Sequence, residues 1–206
     1  MKKLFFVFAA IAALAVVSCN SNSSSKEDHS KMNHDDNMPM TENKTDDKDL
    51  KTVSATFTNV DPGVSGFMKS LVANYLSVKN ALAGSNESDA AAASGKMAEV
   101  MKGFDKSLLT AEQKKVYDDI EDDLKEHAEH ITKSKIDHQR EHFATMSKDV
   151  YDLVKAFGAG MTLYHDHCPM AMNNSGALWL SETKEIRNPY FGDKMMTCGS
   201  VEEMFQ

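Results

Sequence analysis

The sequence predicts an all-α protein, an antiparallel four-helix bundle with an irregular, turn-rich, metal-binding-like lobe at its C-terminus. Two observations carry this prediction. Apolar residues recur at three- and four-residue steps in four segments separated by short connections, which is typical of helices packed in a bundle. From residue 161 onward this period disappears, and prolines and glycines interrupt the chain.

Each predicted helix has an apolar stripe and recognisable end signals. In the first helix the stripe runs from Val64 to Leu82, and Gly84 ends it. Thr110 and Gln113 have the capping-box spacing at the start of the third helix. The four predicted helices cover about 63–83, 89–104, 111–132 and 136–157.

Residues 1–19 have the pattern of a bacterial export signal. A positive start, MKK, precedes an apolar run that is too short to span a bilayer. The ending VVSC resembles the lipobox of bacterial lipoproteins, in which the cysteine, here Cys19, is lipidated and becomes the mature N-terminus. The alternative is an ordinary secretory signal with a chance cysteine. We expect an exported, lipid-anchored protein that faces the periplasm from the outer membrane, since Asn20 is not an acidic sorting residue.

The charge of the chain limits its partners. With 23 basic and 31 acidic side chains, the formal net charge is -8, and loss of the signal removes two of the lysines. An acidic surface argues against nucleic acid and anionic membrane surfaces as partners and is compatible with cations. The lipid anchor would then be the only membrane contact that we expect.

Residues 20–52 are predicted to be a disordered acidic tether, because they contain almost nothing to bury. Histidine and methionine are its unusual members: His29, Met32, His34, Met38 and Met40. This tract resembles the Met/His-rich tails of periplasmic copper-handling proteins. The folded domain is expected to cover 53–206, with the C-terminal lobe at 161–206.

The C-terminal lobe offers thiol, thioether and imidazole donors in two short stretches, YHDHCPMAM and KMMTCG. The candidate ligands are His165, His167, Cys168, Met170, Met172, Met195, Met196 and Cys198. Thiolate and thioether are soft ligands that favour Cu(I). Structural zinc sites use cysteine and histidine and would leave the methionines unused. We therefore expect Cu(I), with Ag(I) and zinc as less favoured ions.

Three alternatives remain for these residues. In an oxidising compartment Cys168 and Cys198 can form a disulfide, worth roughly 3–4 kcal/mol for a loop of this size, and the protein would then be a structural or assembly lipoprotein. The methionines can be core filler. Cys168 can also be an activated thiolate of a redox sensor or enzyme. Neighbours in sequence rarely form a catalytic dyad, so we expect no enzymatic activity.

The segment from Tyr164 to Gly199 resembles the C-terminal signature of a bacterial family of unknown function. Members of that family occur as free lipoproteins and as tails on adaptor subunits of heavy-metal efflux pumps. Its recurring elements CPMA, IRNPYFGD and CG match Cys168–Ala171, Ile186–Asp193, and Cys198 with Gly199. The resemblance implies metal handling in the periplasm, either buffering of the ion or its transfer to components of such a pump. Arg187 is expected to clamp backbone carbonyls or a carboxylate.

A second set of candidate metal ligands lies on the third and fourth predicted helices: His127, His130, His138, His142 and Met146. Residues four apart share a helix face, and a short turn could bring His130 near His138. The alternative is one buried histidine and three solvated ones. The sequence has no Glu-x-x-His pair on two helices and no CxxCH, which argues against a di-iron site and covalent haem.

Overall fold

A computed structural model describes residues 50–206, which fall in one compact unit, Lys44–Gln206. The predicted signal, Cys19 and the His/Met tract lie outside the described residues. The long helices are α1 (Pro62–Ala83), α2 (Glu87–Lys102), α3 (Ala111–Lys133) and α4 (Ile136–Phe157), and α5 (Ala171–Asn174) is a single turn. The strands are β1 (Lys51–Val53), β2 (Leu163–Cys168), β3 (Ala177–Ser181) and β4 (Ser200–Phe205). Two 3-10 turns cover Lys106–Leu108 and Gly192–Lys194.

The prediction of a mainly helical chain is confirmed, and the ends of the four long helices lie within two residues of the predicted positions. Thr110 and Gln113 form both hydrogen bonds of the capping box at the start of α3. The start of α2 precedes its predicted position because Asn86 is the N-cap and accepts the backbone N–H of Asp89. Within residues 50–206, none of the helices is long and apolar enough to cross a bilayer.

The long helices share one apolar core. α1 contacts α2 and α4, and α3 contacts the same two helices. The rings of Tyr75 and Phe143 stack across this core with their centroids 5.2 Å apart. Aromatic contacts among Phe67, Phe104 and Tyr117 join α1 to α3. The apolar stripes read from the sequence are thus the surfaces that the helices bury.

The C-terminal lobe contains most of a four-stranded sheet, which corrects the prediction of an all-α protein with an irregular tail. The strand order is β1-β4-β2-β3, with β1 parallel to β4 and the other neighbours antiparallel. Of the strands in this lobe, only β3, the segment ALWLS, has the short run of strand-forming residues that marks a strand in a sequence. Strands β2 and β4 bury His165, Asp166 and Glu203, so they lack the alternation of apolar and polar residues that marks a half-buried strand.

The sheet also includes the end of the predicted tether. Lys51 and Thr52 belong to β1, so the tether boundary at residue 52 was placed two residues too late. Strand β1 pairs with β4 through its backbone, and Lys51 forms an ion pair with Glu203. Backbone pairing of a three-residue polar strand leaves no hydrophobic pattern in the sequence.

Tyr75 joins the helices to the sheet. Its side chain is fully buried, and its hydroxyl accepts the backbone N–H of Leu180 at 2.9 Å. The same hydroxyl lies 2.9 Å from Ser147 Oγ and can donate to it. Burial raises the pKa of Tyr75 well above its usual value, so the hydroxyl keeps its proton. One oxygen therefore links α1, α4 and β3.

Arg140 makes a second junction, and it has the clamping role that the sequence suggested for Arg187, which is exposed. The Arg140 guanidinium donates from Nε to the Pro189 carbonyl at 3.0 Å and from Nη2 to the Leu82 carbonyl at 3.2 Å. It also donates to Ser85 Oγ at 3.1 Å. These bonds fix the C-terminal lobe against the end of α1.

Tyr75→Phe is expected to lower the free energy of unfolding by about 1–3 kcal/mol, because it leaves the buried N–H of Leu180 without an acceptor. Urea denaturation of the two proteins measures the difference. Tyr164→Phe, at a half-buried tyrosine of β2, is the matched control and should change stability by less than about 1 kcal/mol. Equal losses in the two variants would contradict the role given to the Tyr75 hydroxyl.

Asp149 of α4 is a carboxyl held largely away from water. Its side-chain Oδ2 is buried and has no hydrogen-bond partner among the residues that the structure covers. Burial, followed by the charge of Asp123, raises the pKa of Asp149 to about 6, although Lys148 acts in the opposite direction. Between the usual aspartate pKa of about 4 and this value, the folded protein holds a proton that the unfolded chain has lost.

The contribution of Asp149 to the stability of the protein is therefore expected to fall as the pH rises from about 4 to about 6, since at this group the unfolded state binds fewer protons in that window. Asp149→Asn removes this contribution and should be roughly 1–2 kcal/mol more stable than the parent at pH 7, with no gain at pH 4. Urea denaturation at both pH values measures it. Asp119→Asn, at an exposed aspartate of α3, is the control and should show no such gain. An Asp149→Asn variant with the parent's pH dependence would refute the assignment.

Candidate functional site

Cys168 and Cys198 form a pair of adjacent thiols, called the sulfur pair below. Their Sγ atoms are 2.7 Å apart, and both are free cysteines. Cys168 is buried at the end of β2, and Cys198 is half-buried two residues before β4. The hydrogen bond to Cys168, followed by burial, raises the pKa of Cys198 to about 11. The structure thus brings together the two residues that both a thiolate metal site and a disulfide require.

Asn188 holds the turn that carries Cys198. Its side-chain Nδ2 donates to the Cys198 carbonyl at 2.7 Å, and its Oδ1 accepts the N–H groups of Tyr190 at 2.8 Å and Phe191 at 3.1 Å. Its own backbone N–H donates to the Met196 carbonyl at 2.8 Å. Because Asn188 is fully buried, these bonds are shielded from water. The IRNPYFGD segment is therefore a support for the Cys198 turn.

The candidate methionines differ in their placement. Met195 and Met196 are half-buried in the turn of Cys198, where the Cys198 N–H donates to the Met195 carbonyl at 3.2 Å. Met170 is 48% exposed, two residues after Cys168. Met172 packs against the core and has a positive φ of 49°. Each cysteine thus has methionine thioethers close to it in the sequence. Of the four methionines, Met172 is the one that packs against the core.

His165 and His167 are directed away from the sulfur pair, which corrects their expected place beside Cys168. His167 and Cys168 are consecutive residues of a strand, so their side chains point to opposite faces of the sheet. His165 Nδ1 lies 3.4 Å from a carboxylate oxygen of Glu203, and His167 Nδ1 lies 3.3 Å from Glu202. Burial lowers the pKa of His165. The two imidazoles interact with glutamates of β4.

Asp166 is a fully buried residue between the two histidines of β2. Both of its carboxyl oxygens are buried from water, near the side chain of Trp179. Burial raises the pKa of Asp166 to about 8, with the charge of Lys79 acting in the opposite direction. Lys79 is also buried and donates to Glu182 at 2.8 Å. In a sequence, an aspartate between two histidines suggests a metal ligand at the surface. The burial of Asp166 results from the strand pairing, which the sequence does not show.

The four histidines of α3 and α4, His127, His130, His138 and His142, lie together next to the α3–α4 connection and are called the histidine cluster below. His142 Nδ1 lies 2.9 Å from His127 Nδ1, and His142 Nε2 lies 3.1 Å from His138 Nε2. The rings of His130 and His142 stack with centroids 4.2 Å apart. One ring nitrogen from each of His130, His138 and His142 lies within 4.8 Å of the others.

The surroundings of the histidine cluster combine partial burial with nearby carboxylates. Burial lowers the pKa of His127 and His142, and the charges of neighbouring histidines lower that of His142 further. Glu141 Oε2 lies 2.7 Å from His138 Nδ1. Met146, which the sequence grouped with these histidines, is fully buried in the apolar core and belongs to the packing of the helices. The candidate set on α3 and α4 is therefore purely imidazole.

Comparison with known proteins identifies part of the chain. A family model described as "Protein of unknown function (DUF3347)" matches residues 71–162. This segment is a domain of unknown function. The match begins within α1, includes the histidine cluster and ends before β2, so it does not reach the sulfur pair. No curated protein matches the chain, and no solved structure does.

Asn188→Ala is expected to release the Cys198 turn, since it removes three side-chain hydrogen bonds from buried backbone groups and should cost at least about 2 kcal/mol. In a Cys168→Ser background, the rate at which a thiol reagent labels Cys198 should rise several-fold, because local opening exposes the turn. Asn188→Asp keeps the acceptor and loses the donor, so its labelling rate should be intermediate. A labelling rate unchanged by Asn188→Ala would contradict the assignment.

Proposed function

We propose that the protein is an exported, lipid-anchored Cu(I)-binding protein that buffers the ion or passes it to an efflux system. The observation that supports this most directly is the contact of two thiols, 2.7 Å apart, from segments separated by thirty residues. Thiolates are soft ligands that favour Cu(I) over harder ions. The signal pattern ending at Cys19 and the acidic charge of the chain are compatible with such a role outside the cytoplasm.

Cys168 and Cys198 would supply the thiolates of this site. Met195 and Met196 are the first choice as thioether ligands, since they belong to the turn that Asn188 fixes to Cys198. Met170 is exposed and could exchange with them during transfer of the ion. Ag(I) has similar softness and would use the same donors. His165 and His167 are left out of this ligand set because each lies beside a glutamate of β4.

The scaffold of the site would be an antiparallel bundle of α1 to α4, for which the short connections and the shared core give support. The proposed partner is an adaptor of a heavy-metal efflux pump, from the resemblance of the C-terminal signature. The half-buried Cys198 and the exposed Met170 would let a partner's soft ligand approach the ion. Transfer would then proceed by ligand exchange without a change in the oxidation state of the metal.

The same sulfur contact supports a second candidate, a structural or assembly lipoprotein in which the sulfur pair is oxidised to a disulfide. A thiol-based sensor or enzyme that uses Cys168 has weaker support. Its partner thiol, Cys198, has a raised pKa, whereas reactive thiols usually have lowered values. Counting the free thiols of the isolated protein separates the first two candidates.

The chain without residues 1–19 should bind one Cu(I) in an anaerobic titration against a chromophoric chelator. Binding should be lost in Cys168→Ser and in Cys198→Ser, since each removes one of the two thiolates. Met195→Leu with Met196→Leu should weaken binding at least about tenfold and leave thermal stability close to the parent's, since the exchange keeps volume. Met161→Leu, at a methionine that is 45% exposed and outside the proposed site, is the control.

Free thiols are counted before the titration, with and without reductant. Two thiols that appear only after reduction, with no Cu(I) uptake by the reduced protein, would favour the disulfide and remove the copper proposal. Uptake that persists in Cys168→Ser would show that the ion binds elsewhere in the chain.

A further inference from the structure

We propose a second metal site, distinct from the sulfur pair, in which the histidine cluster binds one divalent ion, Zn(II) or Cu(II). His130, His138 and His142 would be its ligands, and His127 a positioning residue. This goes beyond the proposed function, because the donors, the oxidation state of the metal and the part of the fold all differ. The site lies on helices that belong to the matched segment 71–162, whereas the sulfur pair lies outside it.

The spacing of the ring nitrogens fits a single ion. His138 and His142 are four residues apart on one face of α4, and their Nε2 atoms are 3.1 Å apart. Two nitrogens bound to a tetrahedral zinc at 2.0–2.1 Å would be about 3.3 Å apart. His130, from the last turn of α3, contributes a nitrogen within 4.8 Å of both, and its side chain is 46% exposed.

His138 and His142 each have a partner for Nδ1, the ring nitrogen that would not bind the metal. His138 Nδ1 lies 2.7 Å from Glu141 Oε2, which can only accept when ionised, so the proton of a neutral His138 belongs on Nδ1. His142 Nδ1 lies 2.9 Å from His127 Nδ1 and can donate to it. Carboxylates and other acceptors in this position orient histidine ligands at metal sites and fix their tautomers.

Glu141 fixes the tautomer of His138, whereas His142 can adopt either tautomer beside His127. With the His142 proton on Nδ1, Nε2 of both His138 and His142 carries a lone pair, and the two nitrogens are 3.1 Å apart. With the proton on Nε2, His142 donates to His138, and a metal ion that binds both nitrogens takes the place of this proton. In either form the partners at Nδ1 hold the two rings with their Nε2 atoms close together, as a shared ion requires.

The ligand type selects the class of metal. Neutral imidazole suits Zn(II) and Cu(II), and with equal ligands Cu(II) binds more tightly than Zn(II). Mg(II) and Ca(II) prefer oxygen ligands and are not expected here. Glu126 Oε1, 3.8 Å from His130 Nε2, and Glu141 place negative charge near the ion. Three protein ligands leave a fourth position for water or a partner's donor group.

The test uses the chain without residues 1–19 and with Cys168→Ser, Cys198→Ser, His29→Ala and His34→Ala, so that neither the sulfur pair nor the histidines of the tether can bind metal. Calorimetric titration with Zn(II), and separately with Cu(II), should give one ion per chain, and Mg(II) should give no binding. His138→Ala or His142→Ala should weaken binding at least about 100-fold, because each removes one of the three protein ligands and leaves too few to hold the ion. His167→Ala, a half-exposed histidine that also lies beside a glutamate, is the matched control and should bind as the parent does.

The positioning role of His127 has its own readout. His127→Ala should weaken binding about 10- to 100-fold, the usual effect of removing an outer partner of a metal ligand. His127→Gln restores an acceptor for the His142 Nδ1 proton and should recover part of the loss. If Gln and Ala weaken binding equally, His127 acts through packing and the positioning role is wrong.

Binding should also be visible at the ligands themselves. In the parent, Zn(II) should shift the imidazole nitrogen resonances of His130, His138 and His142 in NMR spectra, and those of His165 and His167 should stay unchanged. This measurement keeps the proposal testable if an alanine variant fails to fold. Absence of saturable Zn(II) or Cu(II) binding by the cysteine-free protein would overturn the site, as would binding retained in a His138→Ala/His142→Ala double variant. Neither result affects the Cu(I) proposal, which depends on the cysteines.

Discussion

The buried hydroxyl of Tyr75 is the polar contact on which the relation between the helices and the sheet depends. It lies in the helical core, yet it accepts the backbone N–H of Leu180 in β3 and contacts Ser147 in α4. A buried polar group without a partner is costly, so the three elements keep one relative position. Since β3 pairs with β2, this position also fixes β2, and with it Cys168, relative to the helical core.

The helices could be predicted because their information is local. Apolar spacing and capping residues such as Thr110 act within a few turns of the chain, and they placed the helix ends closely. Strands β2 and β4 could not be predicted in this way. Their buried polar residues, among them Asp166 and Glu203, are tolerated through surroundings supplied by distant parts of the chain, and a single sequence does not display such surroundings.

The candidate sites, like the fold, could be predicted only in part. Residue types alone selected the cysteines and the histidines, but grouping them into sites required the fold. Because β2 was not recognised as a strand, His167 was predicted to lie beside Cys168. Its side chain in fact points to the opposite face of the sheet. On α4 the four-residue spacing of His138 and His142 was visible in the sequence. The contact of His127 with His142 and the burial of Met146 depend on how α3 lies against α4.

The pairing of β1 at the edge of the sheet determines how the domain bears a pull on the chain that precedes Lys51. Strand β1 is three residues long and runs parallel to β4. A force along β1 loads its backbone hydrogen bonds in shear, where they resist together, whereas a perpendicular force would open them one at a time. The load passes directly to β4, the strand that follows Cys198. The mechanical attachment of this domain is thus its sheet, followed along the chain by the backbone bonds of Thr56 and Phe57 to the end of α4.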